Sequence, residues 1–158
     1  MRGYWFLFGV LVTVFVMLVG GYATLRLGFL DPRADVPVNR IEASVMGPAM
    51  DASVARRAPK LENPVAATAP NLAAGAALYS SHCALCHGDP QHPKAQLAEA
   101  LYPRAPQFLP NPSDMPASQI FYIIQHGVRN TGMPAWGSQL DARQTWQVVT
   151  FMASLAGH

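Results

Sequence analysis

The sequence predicts an all-helical protein, in which a bundle of short helices follows one transmembrane helix. Three observations predict this fold class. Residues 3–25 form an uncharged apolar run, the second half of the chain holds several capped helical segments, and no segment alternates apolar and polar residues as a half-buried strand would. The chain divides accordingly into an anchor at 1–30, a linker at 31–70 and a helical domain at 71–158.

The N-terminal run is long enough to cross a membrane. As a helix, residues 3–25 would be about 34 Å long, which exceeds the hydrocarbon core of a bilayer. Arg2 and the small residues around Gly21-Tyr22-Ala23 also resemble a signal peptide with its cleavage site. The run exceeds the usual apolar region of a signal, and Tyr4 and Trp5 suit a membrane interface. These features favour an uncleaved anchor, with a cleaved signal as the alternative; both send the following residues across the membrane.

The linker at 31–70 is rich in proline and alanine. Six prolines interrupt it, its acidic and basic residues balance, and no apolar period continues for more than a few residues. Such a segment predicts a flexible tether with an end-to-end distance of roughly 35 Å, or a segment that wraps a partner subunit. Residues 71–158 hold four basic and four acidic side chains, so the net charge of +2 belongs to the anchor. The domain therefore lacks the basic face that nucleic acid binding requires.

The domain at 71–158 is predicted to contain three or four short helices. The longer ones begin near Asn71, at 113–114 and at Asp141, and a shorter one covers 96–101. The longer helices start with residues whose side-chain oxygen favours the N-cap, and Gln144 completes a capping-box pair with Asp141. This number of short helices gives a thin core, which in so small a domain requires a covalent or metal-based staple.

The stretch "HCALCHG" holds the two cysteines of the chain, Cys83 and Cys86, followed by His87. A disulfide would close a very small loop, and a redox pair requires a strand–helix–strand context that the sequence does not show. A zinc site would have to recruit His82 or His92, and a second cysteine pair is missing. The pattern C-x-x-C-H is the attachment signature of haem c, in which the thiols hold the porphyrin and the imidazole binds the iron. Haem is therefore favoured over the zinc and redox alternatives.

A haem site requires a sixth iron ligand or an open position. Of the seven methionines, four lie in the anchor and linker, while Met115 and Met152 lie on predicted helices where core packing is the expected role. Met133 lies in "GVRNTGMPAWG", a loop rich in glycine and proline, and a thioether is a soft ligand that raises the reduction potential. Met133 is therefore the predicted ligand opposite His87, and His126 is the main rival.

With these motifs, residues 71–158 resemble class I monohaem cytochromes c. In "GAALYSSHCALCHG", Gly75 and Tyr79 resemble the glycine and aromatic residue of the family's first helix, which pack across the C-terminal helix. Phe151, together with Trp146, would be their partner there. The preceding 70 residues are absent from soluble members of that family and are familiar in membrane-anchored ones.

The resemblance also implies a site. "GMPAWG" resembles the axial methionine loop with Trp136 beside the haem, and "YPRAPQFL" resembles the segment whose proline carbonyl, here that of Pro106, accepts a hydrogen bond from the proximal imidazole. The resemblance implies one haem c attached through Cys83 and Cys86, with His87 and Met133 as iron ligands.

The resemblance implies a membrane-tethered electron carrier rather than an enzyme. Its haem would cycle between Fe(II) and Fe(III) on the periplasmic side of a bacterial inner membrane, with the N-terminus inside. The expected partners are a quinol-oxidising complex or dehydrogenase upstream and a terminal oxidase downstream. Two alternatives remain: a fixed cytochrome subunit of a respiratory or dehydrogenase complex, and a haem enzyme or gas sensor if Met133 does not bind iron.

Overall fold

The computed structural model describes residues 2–109 and 111–155, and these residues form helices and loops without a strand. Met1 at the start of the predicted anchor, Pro110, and residues 156–158 at the end of the predicted domain lie outside the described residues. The elements in chain order are α1 (Arg2–Arg26), α2 (Arg40–Arg57), α3 (Ala69–His82), α4 (Ala84–His87), a 3-10 helix (Gln96–Ala100), α5 (Ala117–His126) and α6 (Ala142–Leu155). The predicted all-helical class with an apolar N-terminal helix is confirmed.

The chain separates into two compact units, Met1–Arg33 and Ala34–His158. The first consists mainly of α1, whose apolar side chains are exposed, and the part from Gly3 to Arg26 is long and apolar enough to cross a membrane. A signal sequence near an N-terminus can meet the same criteria of length and composition. The helix is therefore a candidate membrane span or a signal.

The structure differs from the sequence-based expectation in the linker, because 18 of its residues form α2. Asn39 caps this helix, its side-chain oxygen accepting the Ile41 N–H at 2.9 Å. The side chain of Val54 is buried, and α2 packs against α5. The Tyr102 hydroxyl donates a hydrogen bond of 2.6 Å to Glu42 in its first turn. Tertiary packing thus maintains a helix despite a proline in its interior, which the composition alone did not predict.

The segment between α2 and α3 is also held against the bundle. The Asn63 side-chain amide donates to Thr150 Oγ1 of α6 at 2.9 Å, and its oxygen accepts the Val65 N–H at 2.9 Å. Thr150 Oγ1 in turn lies 3.2 Å from the Val65 carbonyl oxygen. Residues 63–65 therefore follow the surface of α6 instead of extending into solvent.

Helices α3 and α6 form the centre of the second unit. They meet at Gly75, where a Cβ atom would overlap the Gln147 carbonyl oxygen and lie 2.9 Å from Phe151 Cβ. One turn later the Tyr79 and Phe151 rings contact each other with centroids 5.3 Å apart, as the resemblance implies. Glycine permits this close crossing, which buries Tyr79 and the α6 side chains that face the core.

The helix ends follow the predicted capping chemistry in part. At α6 the capping box is complete: Asp141 Oδ1 accepts the Gln144 N–H at 2.8 Å, and Gln144 Oε1 accepts the Asp141 N–H at 2.9 Å. The prediction that Asn71 caps α3 is wrong, because the helix begins at Ala69 after Thr68. Pro70 fits the first turn, where no intrahelical N–H is needed.

Candidate haem site

The two cysteines and His87 lie on one tight turn where α3 passes into α4. Cys83 ends α3, and its carbonyl oxygen accepts the N–H groups of Cys86 at 3.1 Å and His87 at 2.9 Å. Gly88 ends the turn with φ of +81°, in a position where a Cβ would lie 2.8 Å from the Pro93 carbonyl oxygen. Both cysteines are free thiols. The turn therefore presents two unpaired thiols and an imidazole within five residues.

The environment of Cys83 does not favour thiolate chemistry. The residue is buried, and burial together with the neighbouring Cys86 raises the pKa of the Cys83 thiol to about 12. A redox-active cysteine has a lowered pKa and an electropositive surrounding. The raised pKa therefore disfavours Cys83 as the reactive thiol of a redox pair.

The His87 ring is held on one edge and one face. Its Nδ1 lies 2.8 Å from the carbonyl oxygen of Pro106, and its ring stacks on Phe108 with centroids 4.7 Å apart and planes 20° apart. Since a carbonyl oxygen only accepts, Nδ1 carries the proton and Nε2 keeps its lone pair. Burial lowers the pKa of His87, and the Pro106 contact opposes this with a smaller effect. The residue is therefore a neutral imidazole with one nitrogen available to a metal.

Gln107 connects the CxxCH turn to two loops. Its side-chain amide donates to the carbonyl oxygens of Cys86 and Ala105, each at 2.9 Å, and its oxygen accepts the Ala95 N–H at 2.7 Å. The resemblance implied the Pro106 contact but indicated no role for Gln107 and Phe108, the two residues that follow. Their contacts with the turn arise from loop geometry, and no spacing in the sequence indicates them.

Met133 lies on a loop whose shape is held by hydrogen bonds among its own residues. The Thr131 hydroxyl donates to the Val128 carbonyl oxygen at 2.7 Å and accepts the Met133 N–H at 3.1 Å. Gly127 has φ of +66°, and a Cβ there would lie 2.7 Å from the Met133 carbonyl oxygen. Met133 is half-buried and packs against the apolar cluster that contains Cys83. The structure thus places Met133, the predicted sixth ligand, against the same apolar cluster as Cys83.

Trp136 fixes the far end of this loop. Its backbone N–H donates to the Ile124 carbonyl oxygen of α5 at 3.0 Å. Its half-buried indole ring meets the His82 ring edge to face, with centroids 5.1 Å apart. Trp136 thereby connects α5, the methionine loop and the residue that precedes the first cysteine. The sequence alone indicated no role for His82 beyond that of a possible zinc ligand.

The competing ligands lie elsewhere. Met115 and Met152 line a small cavity between α5 and α6 together with Val149, which agrees with the packing role expected of them. His126 is exposed at the end of α5, where its ring contacts Tyr122 at 4.5 Å. A zinc site would need four ligands. Among the described residues, no three His, Cys, Asp or Glu side chains are grouped so that they could hold a metal ion.

The residues present fit a haem c. They comprise two unpaired thiols one turn apart, a neutral imidazole with a free nitrogen and a thioether in the same apolar cluster as Cys83. Imidazole and thioether are the ligand types that hold haem iron in electron-transfer cytochromes. Phe108 and Trp136 add aromatic surface around these donors.

Comparisons with known proteins identify the same part of the chain. Residues 70–152, just over half of the sequence, match the family model described as cytochrome c oxidase, cbb3-type, subunit III. No curated protein matches the chain. A solved structure of the reducing HAO-like protein complex of Kuenenia stuttgartiensis is similar with 19% identity and a TM-score of 0.48, over 61% of this chain and 50% of that one. The chain thus spans about half the length of the matched structure, and a likeness this distant supports no conclusion on function.

Proposed function

The chain belongs to the family described as cytochrome c oxidase, cbb3-type, subunit III, and on that premise we propose that it is a membrane-tethered, single-haem electron carrier. Membership in a cytochrome c family implies electron transfer through a covalently bound haem c. The observation that carries the specific proposal is the His87 contact pair. The Pro106 carbonyl fixes Nδ1 as the protonated nitrogen, and the Phe108 ring fixes the plane of the imidazole, so that Nε2 is presented as a ligand.

In this proposal each site residue has one role. Cys83 and Cys86 would hold the porphyrin covalently, His87 Nε2 and the Met133 sulfur would bind the iron, and Trp136 keeps the methionine loop against α5. The bound haem supplies a one-electron couple between Fe(II) and Fe(III). Pro106 fixes the protonation state of His87, and Gln107 fixes the Cys86 carbonyl and the neighbouring loops.

The arrangement favours a carrier over an enzyme. With His87 and Met133 both used as ligands, no position remains for a substrate or a diatomic gas. A thioether ligand and an apolar surrounding favour the reduced state and so raise the reduction potential. The side chains of residues 71–158 carry balanced charge, so that docking relies on a small and transient contact of the kind that weak redox encounters use.

The anchor and location form the next part of the proposal. The helix from Gly3 to Arg26 serves as an uncleaved membrane span, and the second unit lies on the periplasmic side of a bacterial inner membrane. This topology follows from the side on which haem c is attached in the resembling cytochromes. A tether to the membrane raises the effective concentration for membrane-bound partners. The proposed partners are a quinol-oxidising complex or dehydrogenase as donor and a terminal oxidase as acceptor.

The family description itself supports a second candidate function, a fixed subunit of an oxidase or related complex. The two candidates differ in whether partners remain bound after mild detergent extraction. Isolation with stoichiometric partner subunits supports the fixed subunit, whereas isolation as a single chain that still accepts electrons from a membrane-bound donor supports the carrier.

The ligand assignment is tested by absorption spectroscopy of the purified protein and two methionine variants. The oxidised wild type is expected to have the weak charge-transfer band of an iron–thioether bond, and Met133→Ala is expected to lose it and to bind CO when reduced. Met115→Ala is the matched control and keeps the band, because Met115 lies in the cavity between α5 and α6. A wild type without the band that binds CO readily would replace the carrier by the enzyme or gas-sensor alternative.

A further inference from the structure

His82 is fixed in orientation by the end of α3. Its Nδ1 lies 3.0 Å from the Leu78 carbonyl oxygen and 2.7 Å from Ser81 Oγ. Because the Leu78 oxygen can only accept, this contact requires the tautomer with the proton on Nδ1. The ring is half-buried and directly precedes Cys83. Its position is therefore determined by the same helical turn that presents the first cysteine.

The loop that carries Met133 is fixed at both ends by α5, from which it emerges. Its near end turns at Gly127, and its far end is held by the hydrogen bond from the Trp136 N–H to the Ile124 carbonyl oxygen. The Trp136 carbonyl oxygen also accepts the Leu140 N–H at 2.8 Å, which begins the approach to α6. These bonds shape the loop but relate it to α5, not to the turn that holds the cysteines.

The contact between the His82 and Trp136 rings connects these two parts. The centroids are 5.1 Å apart and the planes are perpendicular, the arrangement in which the positive edge of one ring meets the negative face of the other. One ring belongs to the cysteine-bearing segment, and the other lies three residues after Met133. This ring pair is thus a contact between the segment that holds the proposed anchoring cysteines and the loop that holds the proposed sixth ligand.

We propose that His82 is a positioning residue for the sixth ligand: through its edge-to-face contact with Trp136, it holds the Met133 loop against the cysteine-bearing turn. This inference rests on the proposed assignment of Met133 as an iron ligand. His82 itself binds no iron in this arrangement. Loss of the ring contact leaves both attachment cysteines in place. It increases the fraction of molecules in which the Met133 loop has moved away from the cysteine-bearing turn.

The size of the effect follows from the strength of an aromatic pair. Edge-to-face pairs stabilise a folded arrangement enough to change an equilibrium by about two- to tenfold. His82→Ala is therefore expected to raise the open fraction of the loop by roughly that factor. Because CO can bind only after Met133 has left the iron, the rate of CO binding to the reduced protein should rise about two- to tenfold as well.

The experiment compares His82→Ala, His82→Phe and His126→Ala in the full-length haem-loaded protein. His126 is the matched control, since it also contacts an aromatic ring, that of Tyr122, but on the exposed side of α5. The readouts are the CO binding rate, the intensity of the iron–thioether band on warming, and the hydrogen exchange rate of the Trp136 amide. The last does not depend on the haem spectrum.

The expected result is faster CO binding, earlier loss of the band and faster Trp136 amide exchange in His82→Ala, with normal covalent haem content. His82→Phe keeps a ring at this position and should recover most of the wild-type behaviour, and His126→Ala should equal the wild type. The inference is overturned if His82→Ala equals the wild type, or if His82→Phe is as impaired as His82→Ala. In both cases a wild type that retains the band leaves the proposed function intact.

Trp136→Leu provides the second route if His82→Ala fails to accumulate. It removes the same contact from the other side and should give a similar increase in CO binding rate. A double variant of His82→Leu, which removes the ring, and Trp136→Leu should be no faster than Trp136→Leu alone, because the contact is already lost. Independent, multiplying effects of the two changes would contradict the proposed coupling.

Discussion

Replacement of Gly75 by alanine tests the crossing on which the second unit is built. The added Cβ would overlap the Gln147 carbonyl oxygen and lie 2.8 Å from the carbonyl carbon and 2.9 Å from Phe151 Cβ. Ordinary carbon–carbon contacts begin near 3.5 Å, so the carbon contacts alone require α3 and α6 to separate by about 0.7 Å, and the overlap with the Gln147 oxygen requires more. The obstacle is main chain, which a change of side-chain rotamer cannot remove. Truncating the Phe151 ring would therefore not rescue the variant.

The magnitude has two opposing parts. Overpacking of a well-filled core costs about 1–3 kcal/mol and at times more, and the upper part of this range applies because Val148 and Val149, next to the crossing, are fully buried. Alanine in place of glycine inside a helix contributes about 1 kcal/mol in the stabilising direction. The expected net loss in the free energy of unfolding is about 2 kcal/mol, which corresponds to a fall in Tm of roughly 8 °C.

Denaturant unfolding of the haem-loaded protein, followed by circular dichroism, measures this loss. Ala73→Gly is the matched control: Ala73 is exposed on the same helix, and its replacement measures the helix-propensity contribution alone, with an expected loss of about 1 kcal/mol. Adding that value to the loss at position 75 gives the cost of packing. A Gly75→Ala variant as stable as the wild type would refute the inferred close crossing of α3 and α6.

Four further predictions concern the site. Cys83→Ala combined with Cys86→Ala should abolish haem staining of the protein band after denaturing gel electrophoresis. Each single change should retain one attachment and part of the haem staining. Gln107→Leu should leave the Ala95 N–H and the Cys86 carbonyl without their partner; we expect a loss of about 1 kcal/mol in unfolding free energy and faster exchange of the Ala95 amide. In the haem-free protein, the lowered pKa of His87 should reduce stability as pH falls below the ordinary value of 6.5, because the unfolded chain then binds more protons. In the same haem-free protein, where the Cys83 thiol is free, its pKa, raised to about 12, should reduce stability as pH rises above the ordinary value of 9.0, and Cys83→Ser should remove this alkaline loss.

Much of the fold was predictable because its signals are local. The capping box at Asp141 and Gln144 and the absence of strand-like alternation each depend on a few neighbouring residues. The structure has the capping box and, over the residues that it describes, no strand, whereas the close crossing at Gly75 followed from the resemblance. The N-cap of α3 was misplaced by three residues, at Asn71 instead of Thr68, because Asn71 is a good N-cap by type. Its side-chain amide instead donates to the Ala66 carbonyl oxygen, a bond that lies outside the helix.

The site was less predictable, because its supporting contacts connect distant loops. The CxxCH pattern and the methionine loop are visible as short motifs, and the Pro106 contact with His87 followed from the resemblance. Gln107 and Phe108 act through loops that approach the turn from about 20 positions away, and a single sequence does not show which loop side chains will meet there. The role inferred for His82 likewise depends on a contact across more than 50 positions.

The largest difference, in the linker, changes what a tether could do. The sequence predicted a flexible segment over 31–70, with a span of roughly 35 Å. In the structure α2 packs on α5, and residues 63–65 are bonded to α6, so both segments belong to the second unit. The chain that lies between α1 and α2, residues 27–39, would as a flexible coil span only about 20 Å. Because effective concentration falls steeply with linker length, the shorter reach would, if α1 spans a membrane as proposed, favour partners whose redox centres lie close to the membrane surface.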